Sequence, residues 1–209
     1  MVNISNFQKI ADQIESKLIQ QDNIREELLR LSREVIRLSG QSIENFHRSK
    51  NKKSKEKLVQ AESKLKKIKE YIDREFQYNQ ISIINVAMQE YTEARLFYEL
   101  INNQKLLTVE ELDIPEQAYL LGIADLIGEI RRYILERLVE GNLEEAKKLY
   151  EIMKELYGTI LQVEYGKNLI SDFRRKKDTA RVLVERTLSD LFVATQSRKY
   201  RQNLNEKKE

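Results

Sequence analysis

Residues 119 to 129 read YLLGIADLIGE and place two acids within an otherwise apolar pattern. Apolar residues at spacings of three and four are typical of a helix, and Asp125 and Glu129 lie four apart, so they share one helix face. Gly122 and Gly128 lie three residues to either side of Asp125, although glycine costs up to about 1 kcal/mol inside a helix. This combination indicates that a neighbouring helix or a ligand approaches the acid-bearing face closely.

A second pair of acids lies upstream, where residues 84 to 97 read INVAMQEYTEARLF. Glu90 and Glu93 are three residues apart and therefore share a helix face. Ala87 and Ala94 flank them on that side and leave the face low and open.

Carboxylates within apolar helices need a cation or a hydrogen-bond partner, because an isolated buried charge is costly. Carboxylate oxygens without His or Cys point to Mg²⁺ or Mn²⁺. The alternative is structural pairing with basic side chains, for which Arg95 and Arg132 are the candidates. On the metal interpretation, the predicted ligands are Glu90, Glu93, Asp125 and Glu129.

The composition excludes several other kinds of site. The chain has no Cys, so disulfides, zinc–thiolate sites and thiol chemistry are excluded. Its single histidine, His47, excludes a site that needs two imidazoles from one chain and the Glu-x-x-His pairs of a di-iron bundle.

One Pro and six Gly among 209 residues predict long helices joined by short turns. We expect an all-α single domain over residues 1–209, with six to eight helices, a core over about 5–195 and a flexible tail over about 196–209. Gly158 and Gly166 are predicted to interrupt the chain before the last helix. The predicted helices cover about 4–46, 54–72, 80–102, a short turn after Thr108, 115–139, 142–157 and 177–195.

Four helix starts are predicted from residues that typically cap or begin helices. The predicted features are a cap at Ser5 or Asn6, a cap at Ser54 after a polar loop over 49–54, a capping box at Thr108–Glu111, and a first-turn proline at Pro115.

Charge is segregated along the chain although the net charge is only +3. Ten Lys or Arg stand against two Glu between Arg48 and Lys69, and residues 174–177 and 198–201 form two further basic clusters. Such segregation is typical of proteins that bind a polyanion, although lysine-rich helix faces are also often simply solvated. Because no secretory signal and no long apolar run is evident, we expect a cytoplasmic protein without a membrane partner.

The two acidic motifs resemble those of the catalytic, translin-associated factor X branch of the translin superfamily. Further matches follow in the family's order from about residue 20 to 192. They are Asp22–Glu27, Leu31–Glu34, His47–Arg48, Leu106–Leu112 and Phe173–Asp178.

The resemblance implies a fold of about seven helices that assembles into hollow, roughly octameric shells with RNA on the inner surface. It implies that Glu90, Glu93 and Asp125 are catalytic, metal-binding residues of an Mg²⁺-dependent endoribonuclease, with Glu129 in a supporting role. The expected substrate is single-stranded or small structured RNA, and single-stranded DNA is a further expected ligand. A homo-oligomer is expected, because this chain is shorter than the animal catalytic subunit.

RNA-binding residues would then come from the same chain, through contacts with phosphates. Tyr78 and Tyr91 are candidates to stack on bases, with ordinary packing as the alternative. Two other functions remain open, which are a non-catalytic shell that binds RNA or single-stranded DNA and a helical adaptor for a protein partner. The candidate RNA-binding residues are Arg25, Arg33, Arg37, Arg48, Arg174 and Arg175.

Overall fold

The computed structural model describes residues 6–74, 81–164, 170 and 172–206. Seven helices and no strand are found in these ranges, which confirms the all-α prediction. The helices are α1 (Phe7–His47), α2 (Asn51–Arg74), α3 (Ser82–Asn103), α4 (Val109–Leu112), α5 (Glu116–Val139), α6 (Leu143–Gln162) and α7 (Phe173–Glu206).

The helices pack in an order that puts α3 and α5 at the centre. Helix α1 packs on α2 and α3, α3 packs on α5, and α5 packs on α6 and α7, which also contact each other. Phe97 and Leu96 of α3 and Leu126, Ile127 and Ile130 of α5 are at most 1% exposed. The acid-bearing helices are therefore the most enclosed elements of the bundle, as their broad apolar faces predict.

The connection between α1 and α2 differs from the prediction. Helix α2 begins at Asn51, and Ser49, at φ 58°, makes the turn. Ser54 is fully buried, and its hydroxyl lies 2.9 Å from that of Ser42 on α1. The predicted loop over 49–54 and the cap at Ser54 are therefore wrong, because Ser54 occupies the buried face of α2 one turn before Leu58.

Other helix ends match or shift by a few residues. The capping box is confirmed, since Glu111 N–H donates to Thr108 Oγ1 over 3.2 Å and Thr108 N–H donates to Glu111 Oε2 over 2.9 Å. Pro115 lies just before the first residue of α5 instead of inside it, and α5 ends at the predicted Val139. Asn6 occupies the cap position of α1 without a side-chain hydrogen bond, and Ser5 lies outside the described residues.

The last two helices are longer than predicted. Helix α6 continues through Gly158 to Gln162, because one glycine costs only about 1 kcal/mol in a helix. Gly166 lies outside the described residues. Helix α7 starts at the fully buried Phe173, four residues before the predicted start, and runs to Glu206, through most of the predicted tail. None of the described helices combines the length and apolar character required to cross a bilayer.

Candidate active site

Helices α3 and α5 cross closely at Gly122. A Cβ atom on Gly122 would lie 2.8 Å from the Cβ and Cγ2 atoms of Thr92 and 3.1 Å from the carbonyl oxygen of Gln89. A neighbouring helix, one of the two alternatives drawn from the sequence, therefore explains this glycine. The close crossing brings the two acidic motifs onto the same side of the bundle.

Glu90, Glu93 and Asp125 line one cavity of about 310 Å³. The cavity lies where the N-terminal part of α7 meets α3 and α5. Three carboxylates and two cationic side chains share its wall. The lining residues are Gln89, Glu90, Glu93, Ala124, Asp125, Gly128, Arg175, Lys176, Thr179 and Leu183.

Asp125 has partners on both carboxylate oxygens. The Nε2 atom of Gln89 donates to Oδ2 over 2.6 Å, and the ammonium group of Lys176 donates to Oδ1. Lys176 lies 51 residues further along the chain and reaches Asp125 because α7 starts beside α5. Lys176 belongs to the basic cluster over 174–177, but nothing in the sequence indicated its pairing with Asp125.

Glu93 is buried at 8% exposure, and Glu90 is half-buried. Neither carboxylate forms a hydrogen bond or ion pair with another residue in the described ranges. Burial, together with the charges of Asp125, Glu90 and Glu129, raises the pKa of Glu93 well above its usual value. Burial and the charges of Asp125 and Glu129 also raise the pKa of Glu90, which Lys176 partly opposes.

Glu129 does not line the cavity, although it shares a helix face with Asp125. Its Oε2 atom lies 2.7 Å from His47 Nε2, and the other ring nitrogen of His47 lies 2.8 Å from Glu136 Oε2. The His47 side chain is 2% exposed and stacks on Phe97, with the ring centroids 5.1 Å apart. Arg132 approaches Glu129 at 3.7 Å, so the structural pairing considered from the sequence applies to this acid.

No group of three or more Asp, Glu or His side chains within the described ranges is arranged as a ready-made metal site. The donor set nevertheless fits a hard cation, since Glu90, Glu93 and Asp125 offer only carboxylate oxygens and two of these side chains have no partner in the described part of the chain. Arg95, the other proposed structural partner, pairs with Glu99 at 3.0 Å and forms no ion pair with Glu90 or Glu93.

The six arginines predicted to bind RNA belong to two parts of the chain. Arg175 lines the acid cavity, and Arg174 precedes it on α7 with an exposed side chain. Arg25, Arg33 and Arg37 belong to α1, Arg48 directly follows it, and none of the four lines the cavity. Arg25 pairs with Glu26 at 3.1 Å, and Arg48 pairs with Glu44 at 2.7 Å. Arg33 and Arg37 are exposed between them.

Tyr91 does not stack on a base in this fold. Its side chain is 3% exposed in the core, and burial raises its pKa to about 12. Packing, the alternative considered from the sequence, is therefore correct for Tyr91. Tyr78 lies outside the described residues.

The model of the Translin family matches residues 23–187, which include every residue that lines the acid cavity. The chain belongs to the translin family. An uncharacterized translin-like protein of Methanocaldococcus jannaschii is 34% identical over 190 residues, which span 90% of this chain and 83% of that protein. Translin-associated protein X of Rattus norvegicus is 22% identical over 184 residues, and this chain spans 50% of its length.

Solved structures of the translin type have the same fold. The crystal structure of AfC3PO superimposes with a TM-score of 0.82 at 34% identity and covers 90% of this chain and 98% of its own. The complex of AfC3PO with duplex RNA superimposes with a TM-score of 0.80 at 33% identity and covers 90% and 97%. The resemblance to the translin superfamily read from the sequence is therefore confirmed.

Proposed function

We propose that this protein is an Mg²⁺-dependent endoribonuclease that works as a homo-oligomer and cleaves RNA in the acid cavity. The observation that supports this proposal most strongly is the pair Glu90 and Glu93. Both carboxylates line the cavity, and neither forms an ion pair with a described residue. Since such groups are costly in a folded protein, a function must retain them.

Glu90, Glu93 and Asp125 would hold the cation, which is Mg²⁺ or, as a substitute, Mn²⁺. When bound, such an ion supplies Lewis acidity at the phosphate and lowers the pKa of water. Glu129 is left out of this set, because its carboxylate bonds to His47.

Arg175 and Lys176 would neutralise the phosphate. Both belong to α7 and line the cavity together with the three acids. Lys176 would exchange its bond to Asp125 for one to a phosphate oxygen once a cation occupies the carboxylates. Arg175 pairs with Asp172 at 3.2 Å on an exposed surface, where such a pair costs little to break.

Hydrolysis forms a bond from a water oxygen to phosphorus and breaks the bond from phosphorus to a ribose oxygen. A carboxylate of the cavity would take the proton of the water, and the ammonium group of Lys176 would protonate the leaving oxygen. His47 takes no part, because both its ring nitrogens lie against the carboxylates of Glu129 and Glu136, which do not line the cavity.

RNA as the ligand is supported by the structural neighbour that binds duplex RNA, AfC3PO. Single-stranded RNA is the form expected from the acidic motifs, so both forms belong in the test. The non-catalytic alternative, a shell that binds RNA or single-stranded DNA, is favoured by one observation. The ammonium group of Lys176 donates to Asp125 Oδ1 and neutralises that carboxylate.

The test is cleavage of a labelled RNA, as a single strand and as a duplex, with Mg²⁺ or with EDTA. We expect Mg²⁺-dependent cutting by the wild-type protein and at least a 100-fold loss in the Glu90→Gln/Glu93→Gln variant, because a cation bound by one remaining carboxylate is weakly held. The matched control, Glu56→Gln/Glu116→Gln, also removes two charges, from exposed positions outside the cavity. It is expected to cut like the wild type.

Two results would contradict the nuclease. Cutting that persists in EDTA or in the cavity variant would place the activity elsewhere. RNA binding by both proteins without any cutting, in Mg²⁺ or Mn²⁺, would leave the binding shell as the function.

A further inference from the structure

The first part of α1 carries an apolar stripe that is largely exposed to solvent. Phe7, Ile10, Ile14 and Leu18 follow one another at spacings of three and four and lie on one face of the helix. Their exposed fractions are between 46% and 66%. We call residues 7–21 the arm. It precedes the range matched by the family model.

The stripe lies in line with the face that α1 buries further along. Leu28, Leu31 and Val35 continue the same spacing and are at most 1% exposed, since α2 and α3 cover them. An amphipathic helix gains most of its stability from packing of its apolar face. The arm therefore has the apolar spacing of a helix that packs against another element, but its apolar side chains remain exposed.

A second uncovered apolar surface lies between α6 and α7. This groove encloses about 460 Å³ and is lined on its apolar side by Tyr150, Leu188, Leu191 and Phe192. Leu188 and Phe192 are 54% and 62% exposed. The groove is concave and lies parallel to two helices, so it accepts a third helix that inserts residues at spacings of three, four and seven.

We propose that the arm of one copy docks into the α6–α7 groove of a second copy. Helix α1 packs on α2 and α3, whereas α6 and α7 pack on α5. The arm and the groove are therefore two different surfaces of the molecule, carried by different helices. A contact between two different surfaces is head-to-tail. Repeated contacts of this kind either close into a ring of subunits or form an open filament. The inference rests on the homo-oligomer of the proposed function and is independent of cleavage.

Two observations favour this pairing over symmetric ones. In a coiled coil of two arms, Phe7 and Ile14 would be followed by Gln21, and Ala11 and Leu18 by Arg25. Such a seam is apolar for only two heptads, and coiled coils need three or four. Two grooves cannot fill each other because both are concave.

Charges at the margins are compatible with the docked pair. Glu15 and Lys17 border the arm's stripe on opposite sides, and Lys148 and Glu151 stand at the rim of the groove. Each charge on the arm therefore has an opposite charge available on the groove. The arm and the groove are both apolar along their centres and carry charges of both signs at their margins.

The test measures the molar mass of the purified full chain by light scattering in EDTA, without RNA. We expect a wild-type mass at a multiple of 24.8 kDa. Ile14→Glu in the arm and Phe192→Glu in the groove each lower the mass, because each buries a charge in the contact. Both positions are exposed, so circular dichroism should show unchanged helix content. The control Ser16→Glu adds the same charge on the opposite face of the arm and keeps the wild-type mass.

Mixing the two variants is the decisive step. An Ile14→Glu copy retains its groove, and a Phe192→Glu copy retains its arm, so the mixture should form a complex larger than either variant alone with both in equal number. A wild-type mass for either variant, a monomeric wild type, or a mixture no larger than its components overturns the proposal. Because RNA and metal are absent, the result stands apart from the outcome of the cleavage test.

Discussion

The carboxyl group of Glu93 combines deep burial with three acidic neighbours. Its pKa is raised well above its usual value of 4.5, first by burial and then by the charges of Asp125, Glu90 and Glu129. The folded protein therefore keeps a proton on Glu93 at pH values at which the unfolded chain has lost it. Since the folded state binds more protons, the free energy of unfolding falls as the pH rises above 4.5.

Glu93→Gln removes this penalty. In EDTA, we expect the variant to be more stable than the wild type by about 1 kcal/mol at pH 8, with the gain shrinking towards zero near pH 4. Urea denaturation at a series of pH values measures it. Glu116→Gln, at an exposed position, should show no such trend. A gain for Glu93→Gln that is independent of pH would mean that the pKa of Glu93 does not change on folding.

At the scale of the helices, the crossing of α3 and α5 depends on Gly122. Its missing Cβ would lie 2.8 Å from Thr92 Cβ, an atom attached directly to the backbone of α3. Relief of this clash requires α3 to move. That movement would displace Glu90 and Glu93 relative to Asp125, because all three are carried by these two helices.

Gly122→Ala should therefore destabilise the protein by about 1–3 kcal/mol, as overpacking of a tight helix contact does. Gly40→Ala is the matched control, since Gly40 lies within α1 with no atom within 4 Å of its Cβ position. Without a clash, the higher helix propensity of Ala should stabilise the protein by up to about 1 kcal/mol. Thermal denaturation of both variants measures the difference. Equal stabilisation by both substitutions would show that the crossing can relax at no cost.

At the scale of the whole molecule, charge distribution decides how RNA is held. The net charge of +3 is too small to attract a polyanion by itself, so local cations must make the contacts. Arg175 lines the acid cavity, whereas Arg25 lies on α1 beside Asp22 and Glu26. The two arginines are therefore expected to contribute unequally to RNA binding.

We expect Arg175→Ala to weaken RNA binding and to reduce the slope of log affinity against log salt by about 0.7–0.9, the effect of one lost phosphate contact. Arg25→Ala should change the slope little. Filter binding at several salt concentrations measures both, with Glu90→Gln/Glu93→Gln as the background to prevent cutting. A larger effect of Arg25 would move the RNA path from the cavity to α1.

Features that depend on local spacing could be predicted from the sequence. It predicted the all-α fold, the capping box at Thr108, the end of α5 and the shared faces of both acid pairs, because helical periodicity repeats within a few residues. It also identified the translin family. It failed at Ser54, because a polar residue on a buried face has the same local pattern as a cap.

Which side chains meet depends on how the helices pack in three dimensions. Lys176 pairs with Asp125 across 51 residues, and His47 lies against Glu129 across 82 residues. These pairings depend on which helix faces pack against each other. The spacing of residues within one helix does not predict contacts between helices. The same limit explains why Tyr91, beside Glu90 in sequence, lies in the core while Glu90 lines the cavity.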